Sequence, residues 1–186
     1  MQSWQKKYNT SDQIPHYEIP ISYDLRNVSG VDFTSKVRDQ GGCGSCYTFS
    51  FIQVVESRLK MKYGKTVPKL SPQQLLSCNY MAEGCEGGWA IMQGFFAENA
   101  GITTEECAAY QMQTKDVPCA SFANCQPVAR VSKTYKLRQT DETAIQREIL
   151  LNGPVITDWS APTFMKTYKS GVMDRDKSSD MDSLMQ

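Results

Sequence analysis

The pattern of apolar and polar residues directly after Cys46 has the spacing of a helix. Apolar residues recur there every three or four positions, at Phe51, Ile52, Val55 and Leu59. This spacing places them on one face of a helix. Gly64 supplies the glycine that commonly follows a helix end. The pattern therefore predicts a long helix that begins at Cys46 and buries one face.

Two shorter helices are predicted further along the chain. In the segment LSPQQLLSC, Ser71 suits the N-cap position, Pro72 suits the first helical position, and Gln74 follows three residues after the cap. In the segment GGWAIMQGFFAENAG, helical spacing puts Trp89 on an apolar face, and Gly101 marks the helix end. We therefore expect Trp89 in the core rather than in a binding site.

The pattern changes after Cys125. PVARVSKTYKL alternates and is rich in β-branched residues, and VITDW and YKSGVM have the same character, so these segments predict strands. DETAIQREILLNGP, between the first two, predicts a capped helix closed by Gly153 and Pro154. Residues 1–19 have no clear periodicity, which is typical of a tail or linker. The chain is thus predicted to be helical over 20–126 and to form a second, strand-rich lobe over 127–186.

Composition and charge narrow the function classes. The chain has 186 residues, of which 40% are hydrophobic, so it can bury a sizeable core. Its 20 basic residues balance its 20 acidic ones. This balance does not favour nucleic acid or an anionic membrane surface as a partner. No apolar run approaches the roughly 20 residues that span a bilayer.

Cysteine usage points to an oxidising compartment. The chain has seven cysteines, at Cys43, Cys46, Cys78, Cys85, Cys107, Cys119 and Cys125. An odd count favours three disulfides and one free thiol in a secretory compartment. Two glycosylation sequons, beginning at Asn9 and Asn27, agree with this interpretation. The polar N-terminus does not resemble a signal peptide, so we expect that the upstream part of a precursor is not in this chain.

The segment QGGCGSC leaves three chemistries to weigh. Cys43 and Cys46 are spaced as C-x-x-C, but a structural zinc site needs four ligands and no second pair is present, so no metal site is predicted. A thioredoxin-like redox motif stays open, although it would leave five other cysteines unexplained. A nucleophile is the third interpretation. A cysteine at a helix start meets the positive end of the macrodipole, and the adjacent glycines let the backbone present donors to an oxyanion.

The segment QGGCGSCYTF resembles the active site of papain-family cysteine peptidases, and Tyr47 after the nucleophile is similar to the dipeptidyl peptidase I (cathepsin C) branch. ISYDLRNVSG resembles the first residues of the heavy chain in that branch, and LSPQQLLSC, GCEGGW, EEC, NGPV and YKSGV extend the likeness. The resemblance implies an α+β, papain-like fold with two lobes. Residues 20–126 would be a helical lobe with three disulfides, residues 127–186 an incomplete β-barrel lobe, and residues 1–19 a propeptide remnant.

The resemblance also implies roles for single residues. Cys46 would be the nucleophile, and the Gln40 side-chain amide and the Cys46 backbone N–H would stabilise the oxyanion. Gly87 and Gly88 would line the substrate cleft, where an extended peptide approaches the backbone closely. The implied disulfides are Cys43–Cys85, Cys78–Cys119 and Cys107–Cys125.

A cysteine peptidase needs a base, and the family places its His and Asn roughly 130 to 150 residues after the nucleophile. The one histidine of this chain is His16, which we expect to be exposed in a linker. In papain an imidazole lowers the thiol pKa from about 8.5 to about 3 to 4, whereas a helix terminus supplies at most about 2 kcal/mol. We therefore expect negligible peptidase activity from this chain alone. The resemblance implies that a light chain and an exclusion domain, cut from one precursor, complete the enzyme.

Three further expectations follow. The substrate would be a peptide or protein, and the compartment lysosomal, vacuolar or extracellular. The one ion that the resemblance implies is chloride, which the related branch holds partly through tyrosine hydroxyls. Tyr135 matches one of these tyrosines, but Ile91 stands where the second is expected, which weakens the case for chloride. No other cofactor is expected. The alternative function is a catalytically incomplete homologue that binds peptides.

Overall fold

The computed structural model describes Lys7 and residues 9–64, 66–159 and 168–170. Within these residues the α-helices are α1 (Cys46–Tyr63), α2 (Pro72–Cys78), α3 (Ala90–Asn99) and α4 (Glu142–Asn152). Short 3₁₀ helices lie at Ser11–Gln13, His16–Glu18, Gly84–Glu86 and Cys119–Phe122. The chain divides into two compact units, Met1–Ile156 and Thr157–Gln186, and all of these helices belong to the first.

Helix α1 follows the apolar pattern that predicts it. It begins at Cys46, and Gly64 follows its last residue with a φ of 65°. Glycine adopts this left-handed conformation without a steric penalty, and the Gly64 N–H donates to the Lys60 carbonyl at 2.7 Å. Phe51 and Ile52 on the apolar face are buried. The prediction of this helix, its start and its end is confirmed.

The capping signals of α2 and α4 also act as predicted. The Ser71 hydroxyl accepts a hydrogen bond from the Gln74 backbone N–H at 3.0 Å. At α4 the Asp141 carboxylate accepts from the Ala144 N–H at 2.9 Å. Each such cap stabilises its helix by about 1 kcal/mol. Both helices are therefore confirmed.

The prediction that Trp89 lies in the core is wrong. Helix α3 begins one residue later, at Ala90, and Trp89 occupies the extended N-cap position with 63% of its surface exposed. Helical spacing applies only to residues inside the helix, so the periodicity assigned Trp89 to a face that it does not share. Gly101 ends the segment as expected, with a φ of 73°.

The main core lies between α1, α2 and α3, and α1 packs against both of the other helices. Its buried side chains are Phe51, Ile52, Leu70, Leu75, Ala90, Ala97 and Ile102. Burial of one large apolar side chain contributes about 1.5–3 kcal/mol. This core therefore fixes the orientation of α1, the helix whose first residue is Cys46.

The N-terminal segment packs on α4. Ile14 is fully buried against Leu150 and Leu151, with Ile19 and Tyr23 at the edge of the cluster. Ile14 and Ile19, set among polar residues, produce no periodic signal, so the pattern of residues 1–19 does not reveal this contact.

No strand is present among the described residues. Their backbone pairing outside helices includes the isolated bridges Val28–Val31, Leu70–Thr104 and Ile102–Ala129. Residues 127–137 and 155–159, predicted as strands, form no ladder within this part of the chain. Of YKSGVM only residues 168–170 are described, and the rest lies outside. The β-barrel lobe and the lobe boundary near residue 126 stay predictions.

Three disulfide bonds link the first unit, joining Cys43 to Cys85, Cys78 to Cys119 and Cys107 to Cys125. These are the pairs that the family resemblance implies. Among the described residues, no helix has the length and apolar character to cross a bilayer.

Candidate active site

Cys46 is the free cysteine of the chain, and its side chain is exposed. It is the first residue of α1, while the other six cysteines are held in disulfides. Cys43 is bonded to Cys85, so Cys43 and Cys46 do not form a redox pair here. The structure thus places one accessible thiol at a helix N-terminus.

The backbone at this helix start leaves two donors available. The Ser45 carbonyl accepts from the N–H groups of Thr48 and Phe49 at 2.9 and 3.1 Å. The N–H groups of Cys46 and Tyr47 have no hydrogen-bond partner within the described residues. Unpaired N–H groups carry the positive end of the helix dipole, which stabilises a nearby negative charge by at most about 2 kcal/mol. The site therefore favours negative charge next to the thiol.

Gln40 lies beside this helix start and is held in place by its own amide. Its Nε2 donates to the Cys43 carbonyl at 2.9 Å, and the same carbonyl accepts from the Ser45 N–H at 2.8 Å. A carboxamide nitrogen carries two hydrogens. One is used in this bond, so the second is left to reach a ligand.

Tyr110 joins the Gln40 loop to the helix start. Its hydroxyl donates to the Gln40 carbonyl at 2.7 Å and lies 2.7 Å from the Ser45 hydroxyl. A carbonyl can only accept, so the single Tyr110 proton goes to Gln40 and Ser45 must be the donor in the second bond. Ser45 is fully buried and makes no side-chain cap to its own helix. Its hydroxyl instead fixes the loop that carries Gln40.

A second set of contacts holds Tyr110 itself. Its ring packs edge to face on Phe49, with ring centroids 4.8 Å apart. Its backbone N–H donates to Glu105 Oε1 at 3.1 Å, and Glu105 forms a 2.7 Å ion pair with Arg38. Arg38 also lies over the Phe49 ring, with its guanidinium 5.3 Å from the ring centroid. Sequence analysis missed Tyr110, and no motif or periodicity singles it out.

Gly44 allows the loop to approach its disulfide partner. The Gly44 N–H donates to the Cys85 carbonyl at 2.8 Å. A Cβ atom at Gly44 would lie 2.4 Å from that same oxygen. Only glycine fits this contact, which brings the Gly87–Gly88 segment beside the loop that precedes Cys46.

Gly87 and Gly88 require glycine for different reasons. Gly87 has a φ of 123°, a conformation that other residues rarely adopt, and a Cβ there would meet open space. A Cβ at Gly88 would lie 2.9 Å from the Tyr47 ring. Gly88 is exposed, and its N–H and carbonyl have no partner within the described residues. It therefore offers a free backbone edge, while Gly87 uses its carbonyl to accept from the Glu83 N–H at 3.0 Å.

Tyr47 packs against the Gly84–Gly88 segment. It is buried, and its hydroxyl donates to the Gly84 carbonyl at 2.9 Å. Burial raises the pKa of Tyr47 above its usual value, and the neighbouring Cys46 adds to the increase. The proton of Tyr47 thus stays in its hydrogen bond through the ordinary pH range.

Trp89 is a further candidate that sequence analysis set aside. It directly follows Gly88, and its indole is exposed at the start of α3. An exposed tryptophan beside a free backbone edge is typical of a surface that binds a ligand. The GCEGGW motif could have indicated a binding role for Trp89, because this tryptophan directly follows the two glycines assigned to the cleft.

The Tyr135 hydroxyl, which the family resemblance matches to a chloride ligand, is already engaged in a hydrogen bond. It donates to Glu148 Oε1 at 2.5 Å, and burial together with this bond raises the pKa of Tyr135. Ile91 offers no donor.

Other candidate chemistry is not assembled in the described part of the chain. His16 is exposed in the second 3₁₀ helix. Within the described residues no group of three His, Cys, Asp or Glu side chains is placed to hold a metal ion.

Comparison with known proteins identifies the relatives of this chain. A family model described as "Papain family cysteine protease" matches residues 19–185. Zingipain-2 of Zingiber officinale is 34% identical over 157 residues, which are 83% of this chain and 67% of that protein. Cysteine proteinase 3 of Dictyostelium discoideum is 32% identical over 163 residues, which are 85% of this chain and 46% of that protein.

Solved structures show the same likeness. Procathepsin L 3 from Tenebrio molitor larval midgut matches with a TM-score of 0.61 and 30% identity, over 75% of this chain and 43% of that one. The Carica candamarcensis cysteine protease CMS1MS2, solved in complex with E-64, matches with a TM-score of 0.53 and 30% identity, over 61% of this chain and 52% of that one. The chain spans about half the length of most of the curated relatives that it matches.

Proposed function

The chain belongs to the papain family of cysteine proteases, and we propose that its complete form hydrolyses peptide bonds with Cys46 as the nucleophile. One observation carries this proposal: Cys46 is the free, exposed cysteine, and it lies at the N-terminus of α1 beside two unpaired N–H groups. A thiolate is the reactive form of cysteine, and this position favours it.

The steps follow from the donors around the thiol. The Cys46 sulfur attacks the carbonyl carbon of the scissile bond, and the carbonyl oxygen becomes an oxyanion. The Cys46 N–H and the second hydrogen of Gln40 Nε2 stabilise that oxygen. The C–N bond then breaks, the amine takes a proton and leaves, and water hydrolyses the acyl-enzyme. Preorganised donors of this kind each lower the activation barrier by about 2.7–4 kcal/mol.

The proton acceptor and donor is proposed to be an imidazole from a companion segment. His16 is exposed in the N-terminal segment and is not a member of the hydrogen-bond network around Cys46 and Gln40. The family resemblance assigns the base and its orienting Asn to a light chain. This chain alone is therefore proposed to have negligible peptidase activity.

The substrate is proposed to be a peptide in extended conformation. The free N–H and carbonyl of Gly88 suit main-chain pairing with such a peptide, and Trp89 next to them suits contact with its side chains. The finer proposal is removal of dipeptides. It rests on Tyr47 after the nucleophile and on the heavy-chain resemblance, and it requires an exclusion domain from the same precursor.

A second candidate function is peptide binding without turnover. Two observations together favour it. Gly88 offers a free backbone edge, and the one histidine of this chain, His16, lies far from Cys46 in the sequence. In either case the three disulfides favour a lysosomal, vacuolar or extracellular compartment.

The test compares labelling and turnover in three samples. These are the chain alone, the chain with a companion segment that carries the family's His and Asn, and the Cys46→Ser variant with the same segment. The expected result is slow labelling by E-64 for the chain alone, fast labelling and cleavage of a fluorogenic dipeptide substrate in the assembled pair, and neither in the variant. Tight binding of the peptide without cleavage in the assembled pair would favour the second candidate. Cleavage that survives Cys46→Ser would overturn the nucleophile assignment.

A further inference from the structure

Asn27 lies at the start of a tight hairpin near the N-terminus of the first unit. Val28 and Val31 exchange two backbone hydrogen bonds of 2.9 and 3.1 Å, with only two residues between them. Those residues, Ser29 and Gly30, have φ angles of 54° and 83°. Two left-handed residues in a two-residue loop define a type I′ turn. The turn projects from the surface, since Asn27, Ser29 and Gly30 are all exposed.

The base of this hairpin is held in place. The Phe33 N–H donates to the Leu25 carbonyl at 2.9 Å, and Phe33 is buried. Arg26 and Asp24 form an exposed ion pair at 2.7 Å, which lowers the pKa of Asp24 to about 2. The exposed residues Asn27, Ser29 and Gly30 therefore lie on a loop whose base is anchored to the core.

The two polar atoms of the Asn27 side chain have different surroundings. Oδ1 accepts a hydrogen bond from the Gly30 N–H at 3.1 Å. Nδ2 has no partner within the described residues. Replacing one hydrogen on Nδ2 leaves the amide carbonyl intact, so a substituent there preserves the bond to Gly30 and breaks no other.

We propose that Asn27 is an N-glycosylation site. Asn27, Val28 and Ser29 form the acceptor sequon, and the middle residue is not proline. The donor is an oligosaccharide linked to a polyprenyl diphosphate. A bond forms between Nδ2 and the anomeric carbon of the first sugar, the bond from that carbon to the diphosphate oxygen breaks, and the proton lost from Nδ2 goes to the transferase base. The folded hairpin accommodates the product because it exposes the acceptor and leaves Nδ2 free.

This proposal rests on passage through a secretory compartment, which the three disulfides support, and not on the proposed peptidase function. It is confined to Asn27. The other sequon, at Asn9, directly follows residue 8, which lies outside the described residues.

The experiment translates the full chain, behind a secretory leader, in the presence of rough microsomes. An Asn9→Gln background leaves Asn27 as the one remaining sequon. The expected result is a mobility shift that peptide N-glycosidase F removes, with Asn27 converted to Asp in the tryptic peptide 27–36. Because the sugar is added while the chain enters the lumen, the outcome does not depend on whether a variant folds.

The hairpin supplies matched variants. Asn27→Asp keeps an acceptor oxygen for the Gly30 N–H, and Ser29→Gly suits the left-handed φ, yet each removes the sequon. Both are expected to lose the shift completely, whereas Ser29→Thr is expected to keep it. An unmodified peptide 27–36 in chain recovered from the lumen would overturn the proposal, and so would a shift that persists in Asn27→Asp.

Discussion

Tyr110 and Gln40 are 70 residues apart in the chain, yet the Tyr110 hydroxyl donates a 2.7 Å hydrogen bond to the Gln40 carbonyl. The same hydroxyl accepts from Ser45, which directly precedes Cys46. One oxygen atom therefore sets the separation between the proposed oxyanion donor on Gln40 and the helix that begins at Cys46.

Tyr110→Phe tests this relationship. The variant keeps the ring packing on Phe49 and loses two hydrogen bonds, each with a net contribution of about 0.5–1.5 kcal/mol. We expect the affinity of the assembled protein for a peptide aldehyde, whose adduct with the thiol develops an oxyanion, to fall by about tenfold, or 1.4 kcal/mol. Alkylation of Cys46 by iodoacetamide develops no such charge, and its rate is expected to change by less than about twofold.

Tyr80→Phe is the control for that experiment, because Tyr80 is 89% exposed. It is expected to change neither reaction. A loss of similar size in both reactions of Tyr110→Phe would indicate general damage to the fold and would contradict the positioning role.

Gly44→Ala tests the contact between Cys85 and the loop that precedes Cys46, the proposed nucleophile. A Cβ at Gly44 would lie 2.4 Å from the Cys85 carbonyl oxygen, which is backbone and cannot turn aside. We expect the free energy of unfolding to fall by about 2 kcal/mol or more, because strain is added and the hydrogen bond to Cys85 is lost. Urea denaturation measures this change.

Gly42→Ala is its matched control. Gly42 lies two residues earlier in the same loop, has no positive φ, and has open space where the Cβ would go. Alanine there reduces the freedom of the unfolded chain, so stability is expected to stay the same or to rise by about 0.4–1 kcal/mol. Equal destabilisation by both substitutions would show that the loop, and not the contact to Cys85, requires glycine.

Local signals in the sequence predicted the elements that depend on neighbouring residues. Ser71, Asp141 and Gly64 act within one helical turn, so their caps and stops could be read from the order of residues. The papain-family resemblance assigned roles to Cys46 and Gln40 for a similar reason, because both lie in one short motif, and these roles stay predictions.

Contacts between distant segments could not be predicted in this way. Tyr110 reaches Gln40 through tertiary folding, and Ile14 meets Leu150 across almost the whole first unit. Trp89 shows the limit of periodicity, because the side chain before the first helical residue obeys the cap geometry and not the helix repeat. The strands predicted after Cys125 would depend on pairing partners, which a single segment does not contain.

Tyr47→Phe tests the buried hydroxyl next to the nucleophile through its pH dependence. Burial raises the pKa of Tyr47 in the folded state. A raised folded pKa contributes stability below the unfolded pKa of about 10, and this contribution is lost as pH rises through the folded value. We therefore expect the parent to lose stability above about pH 10 more steeply than the phenylalanine variant.

The measurement is urea unfolding at several pH values in a Cys46→Ala background, which prevents the free thiol from exchanging with the disulfides. Near pH 7 the variant is expected to be less stable by about 1 kcal/mol, because the bond to the Gly84 carbonyl is lost. Parallel curves for the two proteins through alkaline pH would contradict the raised pKa of Tyr47.

The ion pair between Arg58 and Glu148 allows a prediction about asymmetry. Arg58 Nη2 lies 3.2 Å from Glu148 Oε1, and the arginine side chain is 32% exposed while the glutamate side chain is 1% exposed. Glu148→Gln leaves a guanidinium that reaches water and still donates to the Pro154 carbonyl at 3.0 Å. Arg58→Met leaves a buried carboxylate whose donors, within the described residues, are Tyr135 and Asn152. An uncompensated buried charge costs about 3–5 kcal/mol, so we expect Arg58→Met to destabilise the protein more than Glu148→Gln, which should cost about 1–3 kcal/mol.

Exposed Glu142→Gln on the same helix serves as the control for this pair, with an expected change within about 0.5 kcal/mol. All three variants are compared by their urea midpoints at neutral pH, where the carboxylate is charged in the unfolded chain. A larger loss for Glu148→Gln than for Arg58→Met would mean that the cost lies in the hydrogen bonds which Glu148 accepts. In that case the buried, unpaired Glu148 carboxylate of Arg58→Met would cost little, and burial of its charge would not be the dominant effect.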